Sequence, residues 1–142
     1  MLRWAWLWIA VAGGCGAQEA AETTPADDLA ALTDLTRQHR EAVQVDTDLA
    51  HILVLESQYA ADWQAIAKPC GAELDQDCVV ATTGEMSAGE WMDSATRAVE
   101  DHVALQGESG SFMDAWMSED DHHDDLGTLL DSLGTAIDDQ CP

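Results

Sequence analysis

Positive charge is nearly missing from this chain: 142 residues carry five Lys and Arg against 28 Asp and Glu, a formal net charge of −23. That shortage excludes a nucleic-acid binder held by a basic patch, because neutralising phosphates needs Lys and Arg. It equally argues against electrostatic attraction to anionic lipid. Aromatic side chains other than Trp are as scarce, with one Tyr and one Phe, and no substrate clamp is apparent. Enzymatic signatures are missing too. There is no Gly-rich phosphate loop, no nucleophile elbow and no His-Glu-x-x-His zinc-protease helix, so the chain reads as non-enzymatic. No alternating pattern is long enough to make a useful strand.

What is present is a hydrophobic content of 46%, which separates the chain from a disordered acidic tail and, at this length, points to one domain. The acid excess has two readings. An acidic surface stays hydrated and screened at high salt, or it attracts cations.

Residues 1–14 read as a signal peptide. Met1-Leu2-Arg3 is a short basic start, Trp4 to Ala12 is apolar but too short for a permanent span, and Gly13-Gly14 leads into Cys15. Val11-Ala12-Gly13-Gly14-Cys15 resembles the lipobox of bacterial lipoproteins, although Ala12 stands where Leu is usual. That resemblance implies lipidation of Cys15 and a lipid anchor in the cell membrane or outer membrane, facing the periplasm or the exterior. Cleavage after Ala17 is the alternative, and either route exports the protein. Residues 15–24 are small and polar, as expected of a flexible tether.

The remainder, residues 25–141, predicts an all-α, up-down-up-down four-helix bundle made of two helical hairpins. Thr24-Pro25 is a cap followed by proline at the first helical position, and Asp27 and Asp28 favour the positive end of the dipole. Leu29, Leu32, Leu35, His39, Ala42 and Val43 then form one stripe up to about Val45. Asp46-Thr47-Asp48 turns the chain into a second helix carrying Leu49, Ile52, Leu53, Glu56, Ala60, Trp63 and Ile66. Lys68-Pro69 is its expected end, with a cysteine-containing loop over residues 70–86. Ser87 and Glu90 have capping-box spacing before a third helix with Trp91, Ala95, Ala98, Val99, His102 and Leu105. Gly107 to Gly110 breaks it. Ser111 caps a fourth helix with Phe112, Trp116, Glu119, His122 or His123, Leu126, Leu130 and Leu133, in which Gly127 and Gly134 are points of kinking or splitting. Met113 and Met117, one turn apart, read as gap-filling core.

The two hairpins resemble repeats. A shift of 63 residues, the interval from Cys78 to Cys141, lays His39 on His102, Glu56 on Glu119 and Asp62 on Asp125.

Each helix carries one ionisable residue on its inward stripe: His39, Glu56, His102 and Glu119. Buried charges need partners. His39 and Glu56 stand at similar distances from the first turn, and His102 and Glu119 straddle the second in the same way, so all four fall at one level. Two imidazoles and two carboxylates suit a divalent transition metal such as Zn, Cu or Fe. Glu119-x-x-His122 resembles the ligand pair of ferritin-like di-metal bundles. The first hairpin departs from that motif, having Tyr59 where a histidine is needed. The competing reading is two His–Glu pairs that fix the register of the hairpins without any ligand. The run Glu119 to Asp125 lacks EF-hand spacing and reads as a solvated acidic face.

Export permits disulfides. Cys70–Cys78 closes a short loop and is the default pair. The alternative joins the 70–86 loop to Cys141, since the second and fourth helices run in the same direction. Two functional readings follow: a membrane-tethered binding or structural module, resembling bacterial exported lipoproteins of the uncharacterised helical-bundle type, or a bundle that stores or senses a metal through His39, Glu56, His102, Glu119 and His122.

Overall fold

A computed structural model describes residues 23–78 and 85–142. The expected signal peptide, Cys15 and most of the tether lie outside the described residues, as do positions 79–84 of the expected loop. Four helices make up the fold: α1 Pro25–Gln44, α2 Leu49–Asp77, α3 Ala88–Gln106 and α4 Phe112–Gln140. Among the described residues there is no strand. None of the described helices is long and apolar enough to cross a membrane.

Each helix starts where a side chain caps it. Thr24 and Asp27 form a reciprocal capping box at α1, Ser87 and Glu90 form another at α3, and Asp48 and Ser111 accept from the first backbone amides of α2 and α4. Such caps contribute about 1 kcal/mol each. They also bring out the repeat. α3 starts 63 residues after α1, and α4 starts and ends 63 residues after α2, the interval that separates Cys78 from Cys141.

The bundle closes in the order α1, α2, α3, α4, with α1 packed back on α4. Three contacts fix the directions. Trp116 Nε1 at the start of α4 donates to the carbonyls of Val43 and Asp46, where α1 ends. The backbone amide of Ala88 donates to Gln140, so α3 begins where α4 ends. The bridge between Cys78 and Cys141 puts the ends of α2 and α4 together. The predicted up-down-up-down bundle is therefore the fold.

Two differences from the sequence reading concern α2 and the cysteines. α2 does not stop at Lys68-Pro69; it runs on to Asp77 with Pro69 inside. An interior proline costs about 3 kcal/mol. The apolar stripe offsets it, continuing unbroken from Trp63 and Ala67 to Cys70 and Leu74, all buried. The default Cys70–Cys78 pair is absent, and the bridge is Cys78–Cys141. Helical geometry separates Cys70 from Cys78 by two turns, which is too far for a disulfide. Cys70 lies outside the bridge, fully buried in the core.

Other differences are smaller. α4 is continuous through Gly127 and Gly134, and Leu29 packs within 3.2 Å of where a side chain at Gly134 would begin. Met113 and Met117 are exposed rather than core, and Leu105 is exposed while Gln106 next to it is fully buried.

The apolar interior is split in two. A large cluster around Trp63, Leu126 and Leu133 fills one end, and a small one of Val43, Ile52 and Ala115 fills the turn end. Between them along every helix lies a layer of buried polar side chains.

Candidate metal centre

That layer is made by one turn of each helix. His39 follows Leu32 and Thr36 on the α1 stripe, and Glu56 sits between Ile52 and Tyr59 on α2. His102 follows Val99 on α3, and Glu119 lies between Ala115 and His122 on α4. All four are at most 7% exposed. One donor atom from each lies within 4.8 Å of every other. The structure thus brings together the four residues singled out from the stripes.

The contacts form a closed ring. His39 Nε2 is 3.2 Å from Glu56 Oε1 and 3.4 Å from Glu119 Oε1. His102 Nε2 is 3.3 Å from Glu56 Oε2 and 2.9 Å from Glu119 Oε2. Only the His102–Glu119 contact is aligned as a hydrogen bond. His39 Nε2 and Glu56 Oε2 are buried without a hydrogen-bond partner. Each carboxylate turns one oxygen to His39 and the other to His102, so both glutamates bridge the two imidazoles.

Two further residues support the carboxylates. Gln106 donates through Nε2 to the Ala115 carbonyl at 3.0 Å and to Glu56 Oε1 at 3.4 Å, while its Oε1 accepts from Ser109. His123 Nε2 reaches Glu119 Oε1 at 2.8 Å. His122, expected from the sequence as a further metal ligand, is not among the four converging groups. A step of four residues from Glu119 brings His123 to the carboxylate, whereas His122 stacks flat on His102 with ring centroids 3.9 Å apart. Gln106 was missed altogether. Its signal was there to find, since it stands one turn beyond His102 on the same face.

The repeat governs the rings as well. His39 stacks on Tyr59 at 4.1 Å as His102 stacks on His122. Tyr59 and His122 occupy equivalent positions and meet edge to face. Tyr59 Oη lies 3.1 Å from Thr36 Oγ1, and burial pushes its hydroxyl well above the usual phenol range. His122 Nε2 is buried with no hydrogen-bond partner.

Electrostatics follow from this packing. Burial opposes charge on His39, but the carboxylates of Glu119 and Glu56 outweigh it and push its pKa up to about 9. His102 is raised by the same pair against the same burial penalty. Burial works against the Glu119 carboxylate, yet His102, His123 and His39 hold it far below the ordinary range. His122 goes the other way: burial, and then the charge on His102, push it down to about 3, so its ring stays neutral.

Comparison with protein-family models, with curated proteins and with solved structures finds no match to this chain.

Proposed function

We propose that this protein binds one divalent transition-metal ion between His39, Glu56, His102 and Glu119. In this reading it is a non-enzymatic metal store or sensor, exported and held at a membrane by a lipid on Cys15. The observation that carries the reading is the convergence of four buried donor atoms within 4.8 Å. Two imidazole nitrogens and two carboxylate oxygens suit Zn, and Cu and Fe accept the same donors.

Two features support binding over a purely structural cluster. Buried polar atoms normally find hydrogen-bond partners, yet His39 Nε2 and Glu56 Oε2 have none and meet the other ring members only as ion-pair contacts at 3.2–3.4 Å. In addition, the outer residues Gln106 and His123 hold the carboxylates from behind, as second-layer groups do around metal ligands. For a four-coordinate ion such as Zn2+, four protein donors leave no open position, the arrangement of structural sites, where catalytic zinc keeps one ligand exchangeable.

Elemental analysis tests the reading. Protein stripped with chelator, incubated with Zn2+, Cu2+ or Fe2+ and desalted should retain one equivalent of at least one metal. His39→Ala and His102→Ala should each abolish retention. Sub-stoichiometric metal in wild type with all three ions would sink the proposal and leave the cluster as His–Glu pairs that fix helix register.

A further inference from the structure

The centre is buried, so an ion needs a way in, and the two hairpins do not offer the same one. Between α3 and α4 lies an open pocket of about 520 Å³ lined by Asp101, Asp121, Asp125, His122 and the centre's own His102. His122 is 7% exposed, and its Nε2 has no hydrogen-bond partner. Its ring lies parallel to that of His102, 9° between planes and 3.9 Å between centroids.

The first hairpin acts as an internal control. At the positions equivalent to Asp101 and Asp121 it has Gln38 and Gln58, and Tyr59 stands in place of His122. All four of those Gln and Asp positions are solvent-exposed. The scaffold is thus built equally well with neutral amides there, and the two extra carboxylates and the unpartnered imidazole belong to one face only.

We propose that the α3–α4 pocket is the inlet through which a hydrated divalent metal cation reaches the buried centre. Asp101, Asp121 and Asp125 draw the ion in, and His122 is the first protein ligand it meets before His102. This rests on the metal-binding reading above. Carboxylates lining a cleft concentrate cations and raise association rates by tenfold or more at low salt. The imidazole replaces part of the ion's hydration shell as it leaves water, and the stacked rings make the transfer to His102 a short one. His122 is here a positioning residue on the route; it stands outside the four atoms that hold the ion.

Stopped-flow binding of Co2+, followed by its visible absorption, tests the route. Asp101→Gln with Asp121→Gln, both copied from the first hairpin, should slow association about tenfold at low ionic strength. The same variant should release the ion more slowly, leaving the dissociation constant little changed, and the salt dependence of the rate should flatten. Val99→Thr with His122→Tyr, which copies the first hairpin's buried pair, should also slow association. A control with equal charge change at the far end of α4, Asp131→Asn with Asp138→Asn, should keep the wild-type rate. Equal slowing by that control would overturn the inlet, because the field of the whole protein would then be responsible. Wild-type rates in both inlet variants would overturn it as well. Failure of wild type to bind Co2+ at all would overturn the inlet as a route for divalent cations; the metal reading itself falls only if Zn2+, Cu2+ and Fe2+ are not retained either.

Discussion

Cys78 and Cys141 hold the same position in the two hairpins, and they are bonded to each other. Two equivalent atoms can meet only near the axis that relates their repeats, so the bridge marks that axis at one end of the bundle. Tyr59 and His122, also equivalent, meet edge to face further along. The His–Glu ring lies between the two hairpins in the same way, with one His and one Glu from each.

The bridge closes a loop of 63 residues. Constraining an unfolded chain by a loop of that size is worth about 4 kcal/mol in the chain-entropy picture, and measured values commonly fall at 2–4. Cys78→Ser with Cys141→Ser should therefore lower unfolding stability by about 2–4 kcal/mol in urea titrations. Cys70→Ser should leave the bridge intact. A non-reducing peptide map that links Cys70 to either partner would contradict the assignment.

The repeat also predicts how position 122 responds to change. Tyr59 Oη meets Thr36, and the residue equivalent to Thr36 is Val99, buried on α3. His122→Tyr alone should place a hydroxyl against Val99 without a partner and cost about 1–3 kcal/mol. Adding Val99→Thr should restore most of that loss, although Val99→Thr by itself is destabilising. Thermal unfolding of the single and double variants gives the coupling. Strictly additive losses would show that the two hairpins do not share this local packing.

Much of this was legible in the residues, and the failures have a common cause. The inward histidines and glutamates stood out because an ionisable group on an apolar stripe is costly without partners. Their common level followed from counting helical rise away from two turns. Proline and glycine mislead where the apolar period continues across them. Pro69 suggested an end to α2, but the stripe through Cys70 and Leu74 kept its spacing across it. Ending the helix early then made Cys70 and Cys78 loop neighbours and produced the wrong pair. Register one residue off had the same effect in α3, where Leu105 was expected inside and Gln106 is found there. The choice between His122 and His123 needed three dimensions, because both lie close to the inner face and only packing decides which ring stacks and which reaches Glu119.

Lipidation of Cys15 is tested separately from the fold. In a bacterial host that processes lipoproteins, the full chain should fractionate with membranes, and Cys15→Ser should move it to the soluble exported fraction. No described helix offers another means of crossing the bilayer. Membrane attachment retained by Cys15→Ser would contradict the anchor.

Stability of the metal-free protein should depend on pH on both sides. His39 has a folded pKa of about 9 against an ordinary 6.5, so the stability it lends is full below pH 6.5 and is lost as pH rises through 9. The shift corresponds to on the order of 3 kcal/mol. Glu119 has the opposite sign. Its pKa is lowered from 4.5, so its contribution is present above that value and is lost as pH falls towards the depressed one. Metal-free protein should accordingly be most stable near pH 6.5, losing Tm steadily up to pH 9 and also as pH falls below 6.5, where the unfolded chain protonates His122 and the fold keeps that ring neutral down to about 3. His39→Gln should flatten the alkaline limb. A Tm in wild type that holds level from pH 6.5 to 9 would show that the ring does not hold a proton on His39.

The two carboxylates are equivalent by repeat but unequal in their contacts, and this should be measurable. Glu119 meets His102 at 2.9 Å, His123 at 2.8 Å and His39 at 3.4 Å. Glu56 meets His39 at 3.2 Å and His102 at 3.3 Å, with neither contact aligned as a hydrogen bond, and a distant amide from Gln106. Removing the charge at Glu119 takes from His102 and His123 their shortest carboxylate contact and from His39 one of its two. Glu119→Gln should cost about 3–5 kcal/mol in the metal-free protein at pH 6, the range for breaking a buried ion pair. Glu56→Gln should cost less, because Glu119 still serves both ring histidines. With metal present the order should disappear, since each carboxylate then supplies one of four ligands and either substitution removes one. Chemical denaturation with and without Zn2+ reads both states. A larger loss for Glu56→Gln than for Glu119→Gln in the metal-free protein would contradict the contact geometry, and a metal-independent difference would argue that the ring is structural.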